Sequence, residues 1–185
     1  MYEVELKIEL TEDEKEKLIS LFKERGFLSK GVTPQNDFWP EATESEYGGY
    51  DIKRYRKEGD KYFYTEKMWE LFEGGKPVRR ENEHEVTKEE YESKLVEYPD
   101  SLKIKKDREW FAASFDGQNI SITIDSIKFD HSPSIRYFLE AEISVKNKEE
   151  VAKTKEIIHG FLREILNKSE LIESPGMFKM AFQKL

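Results

Sequence analysis

The fold is decided by an alternating stretch, YEVELKIEL at residues 2–10, in which apolar and charged side chains follow one another without a break. Successive side chains of a strand point to opposite faces, so this pattern predicts a strand with one apolar and one charged face. The apolar face must pack against other elements. The charged face, with Glu3, Glu5 and Lys7, is either an ordinary solvated face or the wall of a polar site for a divalent metal and an anion.

Composition limits the classes of function. The chain has 185 residues, of which 37% are hydrophobic and 38% are charged, and its formal net charge is −8. This length is typical of a single domain with its own core, so we predict one domain over residues 1–185. The acidic balance argues against a general binder of nucleic acid or anionic membranes. The absence of cysteine excludes disulfides, thiolate nucleophiles and cysteine-based zinc sites.

The pattern of apolar residues predicts the location of the protein. The N-terminal residues have no apolar segment typical of a signal peptide, and no apolar run approaches the length needed to span a membrane. We therefore expect a cytoplasmic protein without membrane contact.

Further strands are predicted wherever the alternation returns between turn signals: Tyr50–Trp69 as a hairpin turning at Glu58-Gly59-Asp60, then Val78–Val86, Leu102–Phe115, Ile120–Ile127 and Arg136–Val145. Helices are predicted from the cap Thr11 to Gly26, from the cap Thr87 to Pro99, from Asn147 to about Lys168, and after Ser174-Pro175. Residues 31–49 read mostly as loop, with a short strand at Asn36–Trp39 as an alternative. Runs of strands with few helices favour an α+β fold.

The charged faces of these strands carry the chemistry. The basic members are Lys7, Arg54, Arg56, Lys67, Arg79, Lys106 and Arg108, and the acidic members are Glu3, Glu5, Glu81, Glu83, Asp125, Glu140 and Glu142. If the sheet closes, these charges face one another in an enclosed interior, which is costly unless something compensates them. A divalent metal with a polyphosphate would do so, since carboxylates suit Mg²⁺ or Mn²⁺ and Arg and Lys bind phosphate. The facing of Val78–Val86 stays open, because a slip of one residue would exchange its two faces.

The order of these motifs resembles the CYTH, or triphosphate tunnel metalloenzyme, superfamily, which joins class IV adenylate cyclases, thiamine triphosphatases and inorganic triphosphatases. The matches run in order along the whole chain: E-x-E-x-K at Glu3, Glu5 and Lys7; R-x-R at Arg54 and Arg56; T-x-K at Thr65 and Lys67; R-x-E-x-E at Arg79, Glu81 and Glu83; K-x-R at Lys106 and Arg108; a late aspartate at Asp125; E-x-E at Glu140 and Glu142; and a C-terminal lysine at Lys179. The segment 31–49 has no clear match, although Asp37-Phe38-Trp39 is a candidate for an aspartate that the family has there.

The resemblance implies a closed eight-stranded antiparallel β-barrel tunnel with a polar, charged interior and helices packed outside. It implies that one or two Mg²⁺ or Mn²⁺ ions are held by Glu3, Glu5, Asp125, Glu140 and Glu142. It implies that triphosphate is bound by Lys7, Arg54, Arg56, Lys67, Arg79, Lys106, Arg108 and Lys179, with Lys7, Arg54, Arg56 and Lys67 acting in catalysis. Glu81 and Glu83 would line the tunnel without an assigned role.

The function that the resemblance implies is metal-dependent hydrolysis of inorganic triphosphate or a small organic triphosphate, by in-line attack of a water on the terminal phosphate. The small-molecule partner would be tripolyphosphate, thiamine triphosphate or ATP, bound by a monomer or homodimer without nucleic acid. Cyclisation of ATP is an alternative, although Asp130-His131-Ser132-Pro133-Ser134 replaces the glycine-containing stretch of the cyclases. A non-catalytic nucleotide- or polyphosphate-binding module is the other alternative.

Overall fold

The computed structural model of the chain describes residues 2–47, 49–71 and 77–183, without the side chains of residues 70, 71, 77–79 and 183. The strands in these residues are β1 (Tyr2–Leu10), β2 (Leu28–Glu44), β3 (Tyr50–Glu58), β4 (Lys61–Leu71), β5 (Pro77–Val86), β6 (Leu102–Phe115), β7 (Gln118–Phe129) and β8 (Ile135–Val145). The helices are α1 (Glu12–Glu24), α2 (Lys88–Glu97), α3 (Glu150–Leu166) and α4 (Met177–Gln183). No helix in these residues is long and apolar enough to cross a membrane.

The strands form one sheet in the order β1-β8-β7-β6-β2-β3-β4-β5. The described registers of β1 with β8, β2 with β3, β3 with β4 and β4 with β5 are all antiparallel. The predicted α+β class with eight antiparallel strands is therefore confirmed. The prediction of a closed barrel is wrong for the described residues, because β1 and β5 are the two edge strands of this sheet. Alternation shows that a strand has two different faces, but closure depends on the tilt and stagger of every strand together.

Strand β2 corrects the prediction of a mostly looped segment at residues 31–49. The strand covers Leu28–Glu44, and its register with β3 shifts between Phe38 and Glu41, on either side of Pro40. Proline has no N–H to donate to a ladder, and sheets accept it at bulges and edges. Pro40 is thus accommodated by the irregular register without ending the strand, and Pro34 precedes the first described pair with β3.

The C-terminal segment begins its helix later than predicted. Helix α4 begins at Met177, so Ser174 and Pro175 precede it instead of capping it. The Ser174 N–H donates to the carbonyl of Lys7 at 2.7 Å, and Glu173 forms a bridge with Ile8. These residues therefore cover part of the outer edge of strand β1.

Contacts within the chain group its residues into two compact units. The first unit comprises Met1–Thr33, Asp107–Ile127 and Ser134–Pro175, and the second comprises Pro34–Lys106, Lys128–Pro133 and Gly176–Leu185. Each unit is assembled from separate stretches of the chain. The single domain expected from the length stays a prediction.

The core of the first unit lies on the apolar face of the opening strand. Val4, Leu6, Ile8 and Leu10 are each at most 5% exposed, and helices α1 and α3 pack on strands β1 and β8. The fully buried ring of Phe22 from α1 belongs to the same cluster. Fully burying side chains of this size contributes about 1.5–3 kcal/mol each, which fixes the apolar face inward. The charged face of β1 therefore points away from this core.

The core of the second unit is aromatic. Tyr55 of β3 stacks on Phe38 of β2 with ring centroids 5.3 Å apart, and Tyr91 of α2 meets Phe38 edge-on at the same distance. Residues on either side of Tyr55 in a strand must point to the opposite face. The packing of Tyr55 therefore directs Arg54 and Arg56 together to the other face of β3.

Candidate functional site

The first candidate site is formed by facing residues of strands β1 and β8. Their register places Glu5 opposite Glu142 and Lys7 opposite Glu140. Directly opposed residues of an antiparallel pair have Cβ atoms about 4.5–5.5 Å apart, so their side chains can meet. Glu5, Glu140 and Glu142 each offer a carboxylate oxygen, and these oxygens lie within 4.8 Å of one another. We call these three residues the acidic cluster.

Two cations of the first unit contact the acidic cluster through Glu140. The Lys7 ammonium donates a hydrogen bond to Glu140 Oε2, and Arg108 Nη2 lies 3.5 Å from Glu140 Oε1. Arg108 also donates to both oxygens of Asp125, at 2.7 Å from Nε and 2.6 Å from Nη2. Because the Asp125 carboxylate is fully buried in this bidentate pair, it orients the Arg108 guanidinium.

The acidic cluster has the donor chemistry of a site for a hard divalent cation. Its ligands are carboxylate oxygens on two hydrogen-bonded strands, without histidine. Mg²⁺ and Mn²⁺ prefer such oxygen ligands, and Mg²⁺ is often held by one or two carboxylates together with substrate phosphates. Three carboxylates this close repel one another unless positive charge is present. The residues present therefore fit the ions that the resemblance implies.

Two of the predicted metal ligands lie outside the acidic cluster. Glu3 is exposed on β1 opposite Ser144, and its carboxylate is not among the three that converge. Asp125 is engaged with Arg108. Metal binding by Glu3, Glu5, Asp125, Glu140 and Glu142 stays a prediction.

The second candidate site is formed by four buried charged residues of the second unit. Asp37 of β2 lies opposite Arg56 of β3 and accepts hydrogen bonds from Arg56 Nε at 2.7 Å and Arg56 Nη2 at 2.9 Å. Asp37 Oδ2 also lies 3.5 Å from Lys106 Nζ and 4.0 Å from Arg54 Nη1. We call Asp37, Arg54, Arg56 and Lys106 the basic cluster.

Burial and charge act against each other in the basic cluster. Burial alone would raise the pKa of Asp37, but the charges of Arg56 and Lys106 outweigh it and hold that pKa below its ordinary value. Burial alone would lower the pKa of Arg56, but Asp37 raises that pKa above its usual range. Burial lowers the pKa of Arg54, and the neighbouring Arg56 lowers it further. The carboxylate of Asp37 is therefore ionised and compensates part of the buried positive charge.

Carboxylates of strand β5 contact Arg54 of the basic cluster. Arg54 Nη2 donates to Thr65 Oγ1 at 3.0 Å and to Glu83 Oε2 at 3.1 Å, and it lies 3.6 Å from Glu81. Lys67 forms an ion pair with Glu81. The register of β4 with β5, which sets Thr65 opposite Glu83 and Lys67 opposite Glu81, settles the facing of this strand. Glu81 and Glu83 share the face of Lys67.

The remaining predicted phosphate ligands have less defined positions. Arg79 pairs in the sheet with Trp69, but its side chain lies outside the described residues. Lys179 is exposed on α4. From the same helix, Met177 places its Sδ 3.9 Å from Lys106 Nζ.

Asp37 is a residue of the second candidate site to which sequence reasoning assigned no role. Its strand was hidden by Pro34 and Pro40, and the resemblance gave it only as a candidate match. The usable signal was the spacing of Gln35 and Asp37, which puts two polar residues on one face of a short strand, both of them buried. A buried carboxylate requires a partner, and the R-x-R strand that follows supplies it.

Comparison with known proteins identifies the fold. No protein-family model matches the chain, and no curated protein sequence matches it. Among solved structures, the chain is similar to the PH1819 protein from Pyrococcus horikoshii OT3, with 23% identity, a TM-score of 0.69 and full coverage of both chains.

Two further structures extend this likeness. HpAC1 from Hippeastrum, described as a proposed adenylyl cyclase with a dominant triphosphatase activity, has 16% identity and a TM-score of 0.64, with 98% of this chain and 96% of that chain covered. A proposed adenylate cyclase from Bacillus halodurans has 13% identity and a TM-score of 0.61, with 98% and 97% covered. These likenesses show that the chain shares the fold of these solved structures, which is consistent with the resemblance of its ordered motifs to the CYTH, or triphosphate tunnel metalloenzyme, superfamily.

Proposed function

We propose that this protein is a divalent-metal-dependent triphosphatase that acts on inorganic triphosphate or a small organic triphosphate. The observation that carries the proposal is the convergence of Glu5, Glu140 and Glu142 beside the buried cations Lys7 and Arg108. This combination suits a reaction in which a metal and fixed positive charges stabilise phosphoryl transfer.

The acidic cluster would hold the metal in this proposal. Bound there, Mg²⁺ or Mn²⁺ would supply positive charge for phosphate oxygens and polarise a water molecule. Lys7 and Arg108 contact Glu140, so they are placed to bind phosphate oxygens beside these carboxylates. Asp125 would keep the Arg108 guanidinium oriented while it does so.

The cations of the second unit would neutralise and orient the triphosphate chain. Arg54, Arg56 and Lys106 are each at most 9% exposed, and Lys67 lies on the face that Arg54 shares. Arginine binds phosphate bidentately, and lysine adds a compact positive charge. The resemblance assigns these cations to triphosphate binding, and that assignment is part of the proposal.

The balance of buried charge supports an anionic ligand. The described residues contain five buried cations, Lys7, Arg54, Arg56, Lys106 and Arg108, but three buried carboxylates, Asp37, Asp125 and Glu140. The whole chain, in contrast, has a formal net charge of −8. Burying unequal charge is costly without compensation, so an excess of buried cations in an acidic protein favours an anion as ligand.

The proposed reaction is hydrolysis at the terminal phosphorus. A water oxygen bonds to this phosphorus while the bond to the bridging oxygen breaks, and tripolyphosphate yields pyrophosphate and phosphate. The triphosphatase activity described for HpAC1 from Hippeastrum favours hydrolysis over cyclisation.

The test is a substrate panel of tripolyphosphate, thiamine triphosphate and ATP, each with Mg²⁺ and with Mn²⁺. We expect phosphate release from at least one of them, and we expect Glu5→Gln to lower kcat by about 100-fold or more, because it removes a charged group from the acidic cluster. Glu9→Gln is the matched control, since Glu9 lies on the same face of β1 but pairs with Arg136 on the surface.

Two results would contradict the proposal. Cyclic AMP and pyrophosphate from ATP would identify a cyclase. Binding of all three compounds without cleavage, with either metal, would identify a non-catalytic binding module.

A further inference from the structure

Asp37 differs from every other carboxylate of the second candidate site in its burial. Its side chain has no exposed area, whereas the side chain of Glu81 is 16% exposed and that of Glu83 is 39% exposed. Both of its oxygens are used by Arg56, and Oδ2 also faces Lys106 and Arg54. A group without exposed surface cannot touch a ligand directly, so any contribution of Asp37 must pass through these three cations.

The hydrogen bonds fix how the Arg56 guanidinium is presented. A guanidinium has five N–H donors in a planar fork. Asp37 binds the edge formed by Nε and Nη2, so Nη1 and the second hydrogen of Nη2 are not used by this carboxylate. A phosphate could therefore bind Arg56 on the second edge while Asp37 holds the first.

The charges of the basic cluster explain why a carboxylate is needed to hold the cations in place. Three cations share one buried carboxylate, and each of the four residues is at most 9% exposed. Without Asp37 the three cations would repel one another, and long side chains under repulsion move apart. Asp37 compensates part of this positive charge, so it reduces the repulsion that a bound anion would otherwise have to offset.

We propose that Asp37 is a positioning residue of the triphosphate site, which fixes the Arg56 guanidinium and holds Arg54 and Lys106 beside it before the ligand binds. This inference rests on the proposed function in naming a triphosphate as the ligand. It does not rest on hydrolysis, because a triphosphate-binding protein would need the same order of its cations.

The variant Asp37→Asn separates charge from position. It keeps the size of the side chain but removes the negative charge and one acceptor oxygen. The substitution loosens the cations, which lowers the affinity for an anion, but it also makes the local field more positive, which raises that affinity. We therefore expect the affinity for tripolyphosphate without divalent metal to fall by less than about threefold. We expect kcat with metal to fall by about tenfold or more, because a loosely held arginine no longer matches the transition state.

The experiment combines three measurements on the purified full chain. Calorimetric titration with tripolyphosphate in the presence of a chelator gives the affinity, steady-state kinetics give kcat and KM, and ¹⁵N NMR follows the Arg56 Nε–H signal. This signal is assigned with Arg56→Lys, and we expect it to exchange slowly with water in the wild type and to disappear in Asp37→Asn. A lysine cannot form the bidentate pair, so Asp37→Asn should lower kcat by a smaller factor in the Arg56→Lys background than in the wild type, the remaining effect acting through Arg54 and Lys106.

The matched control is Glu9→Gln. Glu9 forms the same bidentate geometry with Arg136, at 2.7 Å for both hydrogen bonds, but on the surface. It should change neither the affinity, nor kcat, nor the Arg56 signal.

Each outcome decides the matter. A wild-type kcat or an unchanged Arg56 signal in folded Asp37→Asn overturns the inference, and so does complete loss of binding. If the wild type does not cleave any triphosphate, the proposed function fails, but the affinity and the NMR signal still decide the role of Asp37. If Asp37→Asn does not fold, Asp37→Glu replaces it. That variant keeps the charge but shifts the carboxylate by one methylene, and a wild-type kcat there overturns the inference.

Discussion

Glu140 contacts two cations as well as the other carboxylates of the acidic cluster. Its Oε2 accepts a hydrogen bond from Lys7, its Oε1 faces Arg108, and it lies with Glu5 and Glu142 in the group of three carboxylates. It is 7% exposed, so water does little to screen these interactions. Positive charge from the chain and from a metal would therefore meet at this carboxylate.

We expect Glu140→Gln to weaken Mn²⁺ binding by about tenfold or more, because it removes a charged ligand and leaves Lys7 and Arg108 without their shared carboxylate. Calorimetric titration with Mn²⁺ measures this directly, without any assay of activity. Glu3→Gln in parallel tests the predicted fifth ligand that lies outside the acidic cluster. Unchanged Mn²⁺ affinity in Glu140→Gln would show that the metal binds elsewhere.

At the scale of elements, helix α1 shows how far local sequence rules reach. Thr11 accepts a hydrogen bond from the Glu14 N–H at 3.2 Å, and Glu14 Oε2 accepts one from the Thr11 N–H at 2.8 Å. This is the capping box that the sequence predicts. Glu14 also accepts a hydrogen bond from Lys168 at 2.7 Å, a contact that no local rule could reveal.

Acid should remove the contribution of Glu14 to stability within a defined range of pH. The hydrogen bonds from Lys168 and Thr11 lower the pKa of Glu14 from 4.5 to about 2. A folded-state pKa below the unfolded value means that the stabilisation is complete above about 4.5 and is lost as the pH falls towards 2. We expect the difference in unfolding free energy between the wild type and Glu14→Gln, from urea titration, to be largest at neutral pH and to vanish near pH 2.

A control variant separates the contribution of the capping side chain to stability from that of the Glu14 charge. Thr11→Ala removes the capping side chain and should cost about 1 kcal/mol of unfolding free energy at neutral pH. A difference between the wild type and Glu14→Gln that persists at pH 2 would contradict the assignment to an ionised carboxylate.

At the scale of the whole molecule, the question is whether the two units unfold together. The fully buried Phe22 meets Phe27 and Phe111 within the first unit, in both cases with ring centroids 5.0 Å apart. Removal of such a ring leaves a cavity and costs about 3–5 kcal/mol. This is a large share of the roughly 5–15 kcal/mol that stabilises an ordinary domain.

We expect Phe22→Ala to lower the urea midpoint of both units equally, as the single predicted domain requires. Variants that retain either Trp110 of the first unit or Trp39 of the second as their sole tryptophan report the two transitions separately by fluorescence. Coincident curves indicate one cooperative domain. Ile172→Ala, at a side chain that is 82% exposed, is the control and should change the midpoint little. A shift confined to the Trp110 signal would show that the units are separate domains.

Several features were predictable because they depend on neighbours in the chain. Alternation identified the strands with charged faces. Because residues two apart in a strand share a face, the sequence also placed Arg54 and Arg56 on one face of their strand, and Glu140 and Glu142 on one face of theirs. Composition gave no such guidance for β2, because prolines within it suggested a loop while the pairing with β3 keeps the segment extended. The facing of β5 was equally ambiguous until Lys67 was found opposite Glu81.

The sequence by itself determined the strands other than β2, the charged faces of those strands other than β5, the α+β class and the resemblance to a triphosphate-binding superfamily, since all of these depend on residue type and spacing. The tertiary structure decided which charges meet: Glu5 with Glu142, Lys7 with Glu140, and Asp37 with Arg56. It also decided that β1 and β5 are edge strands in the described sheet. The physical reason is that a period of two fixes the face of a side chain, whereas register and partner are chosen by packing between distant segments.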